Sequence, residues 1–271
     1  MKKKLTLLFV GLFLCFTIVS AQNRETRNVG TFNKIAFRIP GKLYLKQGSS
    51  QKVEIEATKE ALAKIETKVE GSKLLIHSPD KWNWNWKNND EINVYVTITN
   101  FEGLSVAGSG EVIGEGKFNA GDLSLDVSGS GSLDLEVAAS GNLRTAVSGS
   151  GRMNVKGTSK EMSSQVSGSG RVSLAVNVSE DTDFSISGSG KIEASGRANE
   201  LKTSISGSGK VIASNLEVSK ADIHISGSGS AEVNVKDELE ARISGSGNVR
   251  YKGDPDKVNS NSSGSGSVSK M

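Results

Sequence analysis

The chain has 271 residues, of which only 5% are aromatic, and it carries 31 glycines but 3 prolines. This composition argues against a large aromatic-rich core and suits a thin one of layered Val, Ile and Leu. The formal charge of +3 belongs to Lys2, Lys3 and Lys4; the rest balances at 30 basic and 30 acidic residues, which argues against nucleic acid as a partner.

The first segment reads as a signal peptide, residues 1–21. Three lysines precede an apolar run of 15 residues, Leu5 to Val19, short of the ~20 that a membrane-spanning helix needs. Val19-Ser20-Ala21 then places suitable residues at −3 and −1, so cleavage is expected to leave Gln22 first. The lone Cys15 lies inside the apolar run after the bulky Leu14 and is read as part of the signal. The mature chain is then free of cysteine and suited to an oxidising compartment without disulfides. Export to the periplasm, the outer-membrane surface or the exterior follows. No second long apolar run exists, so no transmembrane helix is expected in the mature chain.

Residues 22–100 read as an N-terminal β region. Thr31 to Phe37 and Gly41 to Leu45 alternate like strands, and Lys52 to Ala57 does so with Val53 and Ile55 on one face. Lys59 to Lys64 suits a short helical turn. Ile65 to Val69 and Lys73 to Ile76 suit a strand pair turning at Glu70-Gly71-Ser72. Glu91 to Thr99 alternates Ile92, Val94, Val96 and Ile98. This region is expected to start and cap a repeat array, because an open solenoid end exposes strand edges and apolar core.

Residues 101–271 carry the array. Gly-Ser-Gly recurs nine times, beginning at Gly108, Gly129, Gly149, Gly168, Gly188, Gly207, Gly227, Gly245 and Gly264, with steps of 18 to 21 residues. Two residues before each triplet stands Val106, Val127, Val147, Val166, Ile186, Ile205, Ile225, Ile243 and finally Ser262. The second residue after it reads Val112, Leu133, Met153, Val172, Ile192, Val211, Ala231, Val249 and Val268. Between the apolar column and the triplet runs Ala107 and then serines, from Ser128 to Ser263. Columns that keep their chemistry are columns that stack. The expected fold is all-β: a single-stranded right-handed parallel β-helix with coils of about 20 residues, possessing two clear strands per coil. A third strand at the variable second turn is left open. Nine coils spaced ~4.8 Å apart make a rod on the order of 40 Å long.

The triplet itself reads as a corner device. Its glycines permit positive φ and close backbone approach, and its central serines are expected to stack and hydrogen-bond along the rod. Calcium fits poorly, because no Asp follows the glycines, and no phosphate-loop spacing occurs. With two histidines, His77 and His224, and no mature cysteine, a zinc site or thiol nucleophile is not supported, and no cofactor is implied. His224 falls on a polar column and reads as surface. Carboxylate pairs that could serve glycoside hydrolysis are Asp122 with Asp126, Asp134 with Glu136, and Asp181 with Asp183. Neighbouring coils offer Asn154, Ser173 and Glu193 in the Asp134 column, so the acids read as solvated strand faces and no catalytic residue is assigned.

One segment stands apart. Lys81-Trp82-Asn83-Trp84-Asn85-Trp86-Lys87 holds all 3 tryptophans at alternate positions. On an extended strand they share a face. Such a row either covers the apolar end of the solenoid or offers indoles to a sugar or a membrane interface. Trp82, Trp84 and Trp86 are the candidate ligand- or partner-binding residues.

The opening Val29-Gly30-Thr31-Phe32-Asn33-Lys34-Ile35, the stretch Ile65 to Leu74, Leu104-Ser105-Val106-Ala107-Gly108-Ser109-Gly110 and the closing Ser244 to Pro255 together resemble the putative auto-transporter adhesin, head GIN domain family, common in Bacteroidetes. The likeness spans nearly the whole mature chain; Gly247-Asn248-Val249 stands at the position of the family's GIN. The resemblance implies a β-helix and adhesion, and it supplies no catalytic residues. No auto-transporter barrel is expected to follow Gly266, since few residues remain. The expected function is therefore that of a secreted, non-catalytic cell-envelope or surface protein, binding polysaccharide or an envelope partner. The rivals are a polysaccharide-acting enzyme on the solenoid face and a purely structural envelope rod.

Overall fold

The computed structural model describes residues 23–79 and 91–271. The leader and the tryptophan segment, with Trp82, Trp84 and Trp86, lie outside the described residues.

The chain begins with β1 (Asn23–Thr26), β2 (Lys34–Phe37), β3 (Lys42–Gln47), β4 (Lys52–Ala57), the one-turn α1 (Lys59–Leu62), β5 (Glu66–Glu70), β6 (Lys73–His77) and β7 (Asn93–Ile98). The helix is started by Thr58, whose hydroxyl accepts from the Ala61 N–H at 3.2 Å. It ends after one turn, with Ala61 and Leu62 turned into the core. β5 and β6 form the antiparallel hairpin expected from sequence, with Glu70 opposite Lys73.

Spatial order departs from chain order here. β2 and β3 make the first coil in sequence, but they are the second layer in space. β6 stacks parallel on one side of β2 and β8 (Gly103–Gly108) on the other. Likewise β3 lies between β7 and β9 (Glu111–Ala120). The outermost parallel coil is thus β6–β7, and β4 closes its edge by pairing antiparallel with β7, with β1 antiparallel to β4. An antiparallel rim ends the parallel stack and leaves no parallel edge open beside β7.

The stack then proceeds through β10 (Leu123–Gly129), β11 (Ser132–Ala139), β12 (Asn142–Gly149), β13 (Arg152–Ser159), β14 (Glu161–Gly168), β15 (Arg171–Val178) and β16 (Thr182–Gly188). Even-numbered strands pair with even and odd with odd, all parallel and one coil apart. The triplets are in register: Gly129 faces Gly149, which faces Gly168, which faces Gly188. The Val/Ile column ahead of them is buried from Val106 to Ile243, within one continuous apolar cluster.

At each triplet the backbone does the bonding. Ser150 N–H donates to Gly129 O at 2.9 Å and Ser169 N–H to Gly149 O at 2.9 Å, coil after coil. The central serines thus stack and hydrogen-bond along the rod as expected, through their amides, with their side chains at the surface. Close approach explains the flanking glycines. Gly188 has φ +115°, and a Cβ there would lie 2.8 Å from Gly168 O. A Cβ on Gly190 would overlap Val166 Cγ1.

The second corner changes along the rod. From β7 to β16 it is broken by short turns, at 99–102, 121–122, 140–141, 160 and 179–181. Beyond it, β17 (Lys191–Gly207), β18 (Lys210–Gly227) and β19 (Ser230–Gly245) run unbroken through the corner. The last coil, β20 (Asn248–Lys252), β21 (Lys257–Ser263) and β22 (Ser267–Lys270), turns polar. Val258, Ser260 and Ser262 stand over the buried Leu239, Ala241 and Ile243, and every residue of β21 is exposed.

Candidate functional site

The outward-facing position five residues before each triplet sets the site. Stacked in register this column reads Lys34, Gly103, Ser124, Arg144, Ser163, Asp183 and Lys202. Long side chains alternate with very short ones. Beside it lie the broken second corners, several of whose residues line the cavities. The result is three cavities in a row along one edge of the rod, sharing lining residues.

The first, about 460 Å³, is lined by Thr31, Asn33, Ser49, Gln51 and Thr99 and is wholly uncharged in its polar groups. It meets the second at Asn100. The second, about 840 Å³, is lined by Lys34, Glu102, Asn119, Asp122, Ser124 and Arg144. Asn142 and Arg144 are shared with the third, about 350 Å³, which adds Glu161, Ser163, Asp181, Asp183 and Lys202.

The walls are pinned from behind. Gln47 donates to Thr99 O at 3.0 Å and to Asn119 O at 2.9 Å, and accepts from the Asn119 N–H at 2.8 Å. One side chain therefore ties two lining corners together. Gln51 fastens both the N–H and the carbonyl of Phe32. Asp122 accepts the Asn142 N–H at 2.8 Å, tying the next two corners. Lys34 stands 3.8 Å from Glu102. Arg144 has no ion-pair partner among the described residues, although it forms the ridge between two cavities.

The three candidate carboxylate pairs stand at exposed or half-buried positions. Asp134 and Glu136 are both exposed on one strand face, and Asp134 accepts from Asn154 Nδ2 at 3.0 Å. Asp126 accepts from the Ser124 hydroxyl at 3.2 Å. Asp181 and Asp183 line the third cavity together with Glu161 of the neighbouring coil. His224 is exposed on its polar column, and His77 lies 3.6 Å from Glu66 in the β5–β6 hairpin. Among the described residues no group of three His, Cys, Asp or Glu converges to hold a metal ion, and no helix is long and apolar enough to cross a membrane.

Trp82, Trp84 and Trp86 fall in sequence between β6 and β7, outside the described residues. On the outward face of β7 itself, Tyr95 stacks on Tyr44 with ring centroids 5.2 Å apart. The Arg24 guanidinium sits 4.2 Å over Tyr95, and the Tyr95 hydroxyl donates to Glu56 at 3.2 Å. Partial burial, then the Glu56 hydrogen bond, raise the Tyr95 phenol above its ordinary range. These rings are consumed by their neighbours.

The sequence reading missed the cleft and Arg144. The signal was available: the column five before the triplet can be aligned by eye, and its alternation of large and small residues marks the hollows.

The family model described as putative auto-transporter adhesin, head GIN domain matches residues 31–193 and 168–255. The chain belongs to this family. Solved structures from other proteins share its fold. A putative adhesin from Parabacteroides distasonis is 21% identical, with 93% of this chain and 98% of that one covered and a TM-score of 0.65. A putative lipid binding protein from the same species is 22% identical over 92% and 96%, with a TM-score of 0.65. A putative adhesin from Parabacteroides merdae is 22% identical over 93% and 95%, with a TM-score of 0.63. No curated protein is significantly similar to the chain. Membership in this adhesin-type family points away from an enzyme and towards attachment.

Proposed function

We propose that the chain is an exported, non-catalytic, adhesin-like protein of the cell envelope or cell surface, and that it binds polysaccharide or an envelope partner. The observation that carries this reading is the run of three contiguous cavities, with polar side chains among their lining, on a rigid rod. A β-helix grows in one direction at a fixed rise, so a long surface trough is matched to an extended polymer. The adhesin-type family supports the non-catalytic part of this reading. Trp82, Trp84 and Trp86 are a second binding element in this proposal, adding apolar faces to the contact.

A glycan array probed with the mature protein tests the reading. Retention of surface polysaccharides is the expected result. No retention of any glycan or envelope fraction would favour a structural rod. Reducing-end assays over the same polysaccharides should show no turnover; turnover lost in Asp134→Asn or Glu136→Gln would make the protein an enzyme. Trp82→Ala, Trp84→Ala and Trp86→Ala together should weaken retention, and unchanged retention would remove the tryptophans from the site.

A further inference from the structure

The geometry points to a specific ligand class and a specific pose: we propose that the cleft of three cavities binds a linear, uncharged glycan laid parallel to the rod axis, with Arg144 as its central clamp. This rests on the polysaccharide reading above and deepens it.

Length comes first. From the coil of Lys73 to that of Lys202 the column crosses seven rungs. At ~4.8 Å per rung the cleft runs about 34 Å, far longer than a small metabolite requires. The trough begins beneath the antiparallel cap and stops at Lys202, where the second corner becomes continuous strand.

Charge comes second. The lining carries Lys34, Arg144 and Lys202 against a larger number of carboxylates, including Glu102, Asp122 and Asp183. A polyanion would meet net repulsion, and the first cavity offers no charge at all for a polycation. What remains are alternating donors and acceptors held on planar groups: the amides of Asn33, Asn100, Asn119 and Asn142, the carboxylates, and one guanidinium. A sugar hydroxyl both donates and accepts, so it can satisfy a carboxylate and an amide or guanidinium at once.

Unused bonding capacity comes third. Asn33 Oδ1, in the lining of the first cavity, is buried without a protein partner. Buried polar groups are normally paired, so an unpaired one in the lining is fitted to a ligand's hydroxyl. Arg144 adds an exposed guanidinium with no ion-pair partner among the described residues, able to form two parallel hydrogen bonds to adjacent hydroxyls. Gln47 and Gln51 hold the corners in place before anything binds, which lowers the ordering cost of binding.

The test uses the full mature chain on an array of neutral and acidic linear glycans and of extended peptides. Ser124→Tyr fills the central cavity from an outward position, and Arg144→Ala removes the clamp. Asn259→Tyr, on the same column beyond the cleft, is the steric control. The expected result is retention of a neutral linear glycan, abolished by Ser124→Tyr, weakened about tenfold or more by Arg144→Ala, and unchanged in the control. Circular dichroism and urea midpoints matching the parent show that the variants are folded. Glycan retention that both cleft variants leave intact would overturn the cleft while the polysaccharide reading stands. Failure of the parent to retain any glycan would overturn both. Cleft-dependent retention of acidic glycans or peptides, in place of neutral glycans, would overturn the ligand class.

Discussion

Substituting glycines in two of the triplets separates backbone strain from close packing. Three positions differ in what a methyl group would meet. At Gly108 φ is +91° and nothing lies within 4 Å of an added Cβ, so Gly108→Ala meets only the positive-φ strain, ~1–3 kcal/mol. At Gly188 φ is +115° and the new Cβ would lie 2.8 Å from Gly168 O and 3.3 Å from Gly168 Cα, both backbone atoms of the neighbouring coil. Backbone cannot swing aside as a side chain can, so Gly188→Ala adds an overpacking term of another ~1–3 kcal/mol, for a total near ~4 kcal/mol. At Gly190 no positive φ is needed, but the methyl would overlap Val166 Cγ1, a core atom; overpacking alone predicts about 2 kcal/mol. Ser189→Ala, at an exposed hydroxyl, should stay within about 0.5 kcal/mol of the parent. Urea melts followed by circular dichroism order the four variants by midpoint. Gly188→Ala no more damaging than Gly108→Ala would refute the claim that inter-coil backbone contact is what the first glycine protects. A large loss in Ser189→Ala would show that the serine side chain, and not its amide, carries the ladder.

Thr203 Oγ1 is buried among apolar neighbours with no partner, so Thr203→Val removes an unpaired hydroxyl at nearly constant volume and should stabilise by about 1 kcal/mol in the same melts. Glu232 is nearly buried between Arg250 and Lys210, the latter 3.1 Å away, and the Arg250 hydrogen bond chiefly holds its carboxyl below the ordinary 4.5, against the opposing effect of burial. A carboxyl depressed by folding contributes stability that is present above the unfolded value near 4.5 and lost as pH falls through the folded one. Urea midpoints taken from about pH 6 to about pH 3 should therefore fall less steeply in Glu232→Gln than in the parent. Ser260→Val with Ser262→Ile would continue the apolar columns of Ala241 and Ile243 onto the exposed last coil, and light scattering should show self-association that the parent lacks.

Much of the array was legible because its columns are self-checking. When Val127, Val147, Val166 and Ile186 recur at one offset from a triplet, register and inward face follow together, and the pairing of Gly149 with Gly168 agrees. The N-terminal region was legible strand by strand but not in its order. Nothing in Lys34 to Phe37 says that Lys73 to Ile76 will stack outside it, since both are short alternating strands and stacking order depends on which edge the returning chain reaches. The third-strand question was open for a physical reason: β17 to β19 pass unbroken through the corner that turns interrupt from β7 to β16. The serine column was expected to stack and hydrogen-bond along the rod and does so through backbone amides, so its uniformity reflects uniform backbone spacing rather than a side-chain contact.

That distinction governs where function sits on such a rod. Positions that repeat do so because every coil needs them, so repetition marks what stacking requires and says nothing of a ligand. A site needs a place that differs from its neighbours. On this chain the difference arises twice over, in the second corner where turns replace continuous strand and in the outward column where Gly103, Ser124 and Ser163 fall between Lys34, Arg144 and Lys202. Neither departure improves stacking. Small residues in parallel strands give up packing area and β preference, and broken corners give up continuous strand, although backbone hydrogen bonds still join them coil to coil. Both costs fall on the same edge and over the same coils, beginning beneath the antiparallel cap and ending together near Lys202. Independent drift of surface residues would have no reason to align the two. A trough maintained for binding would, and it would also explain why Gln47 spans from β3 to both Thr99 and Asn119 and fastens two of its walls together.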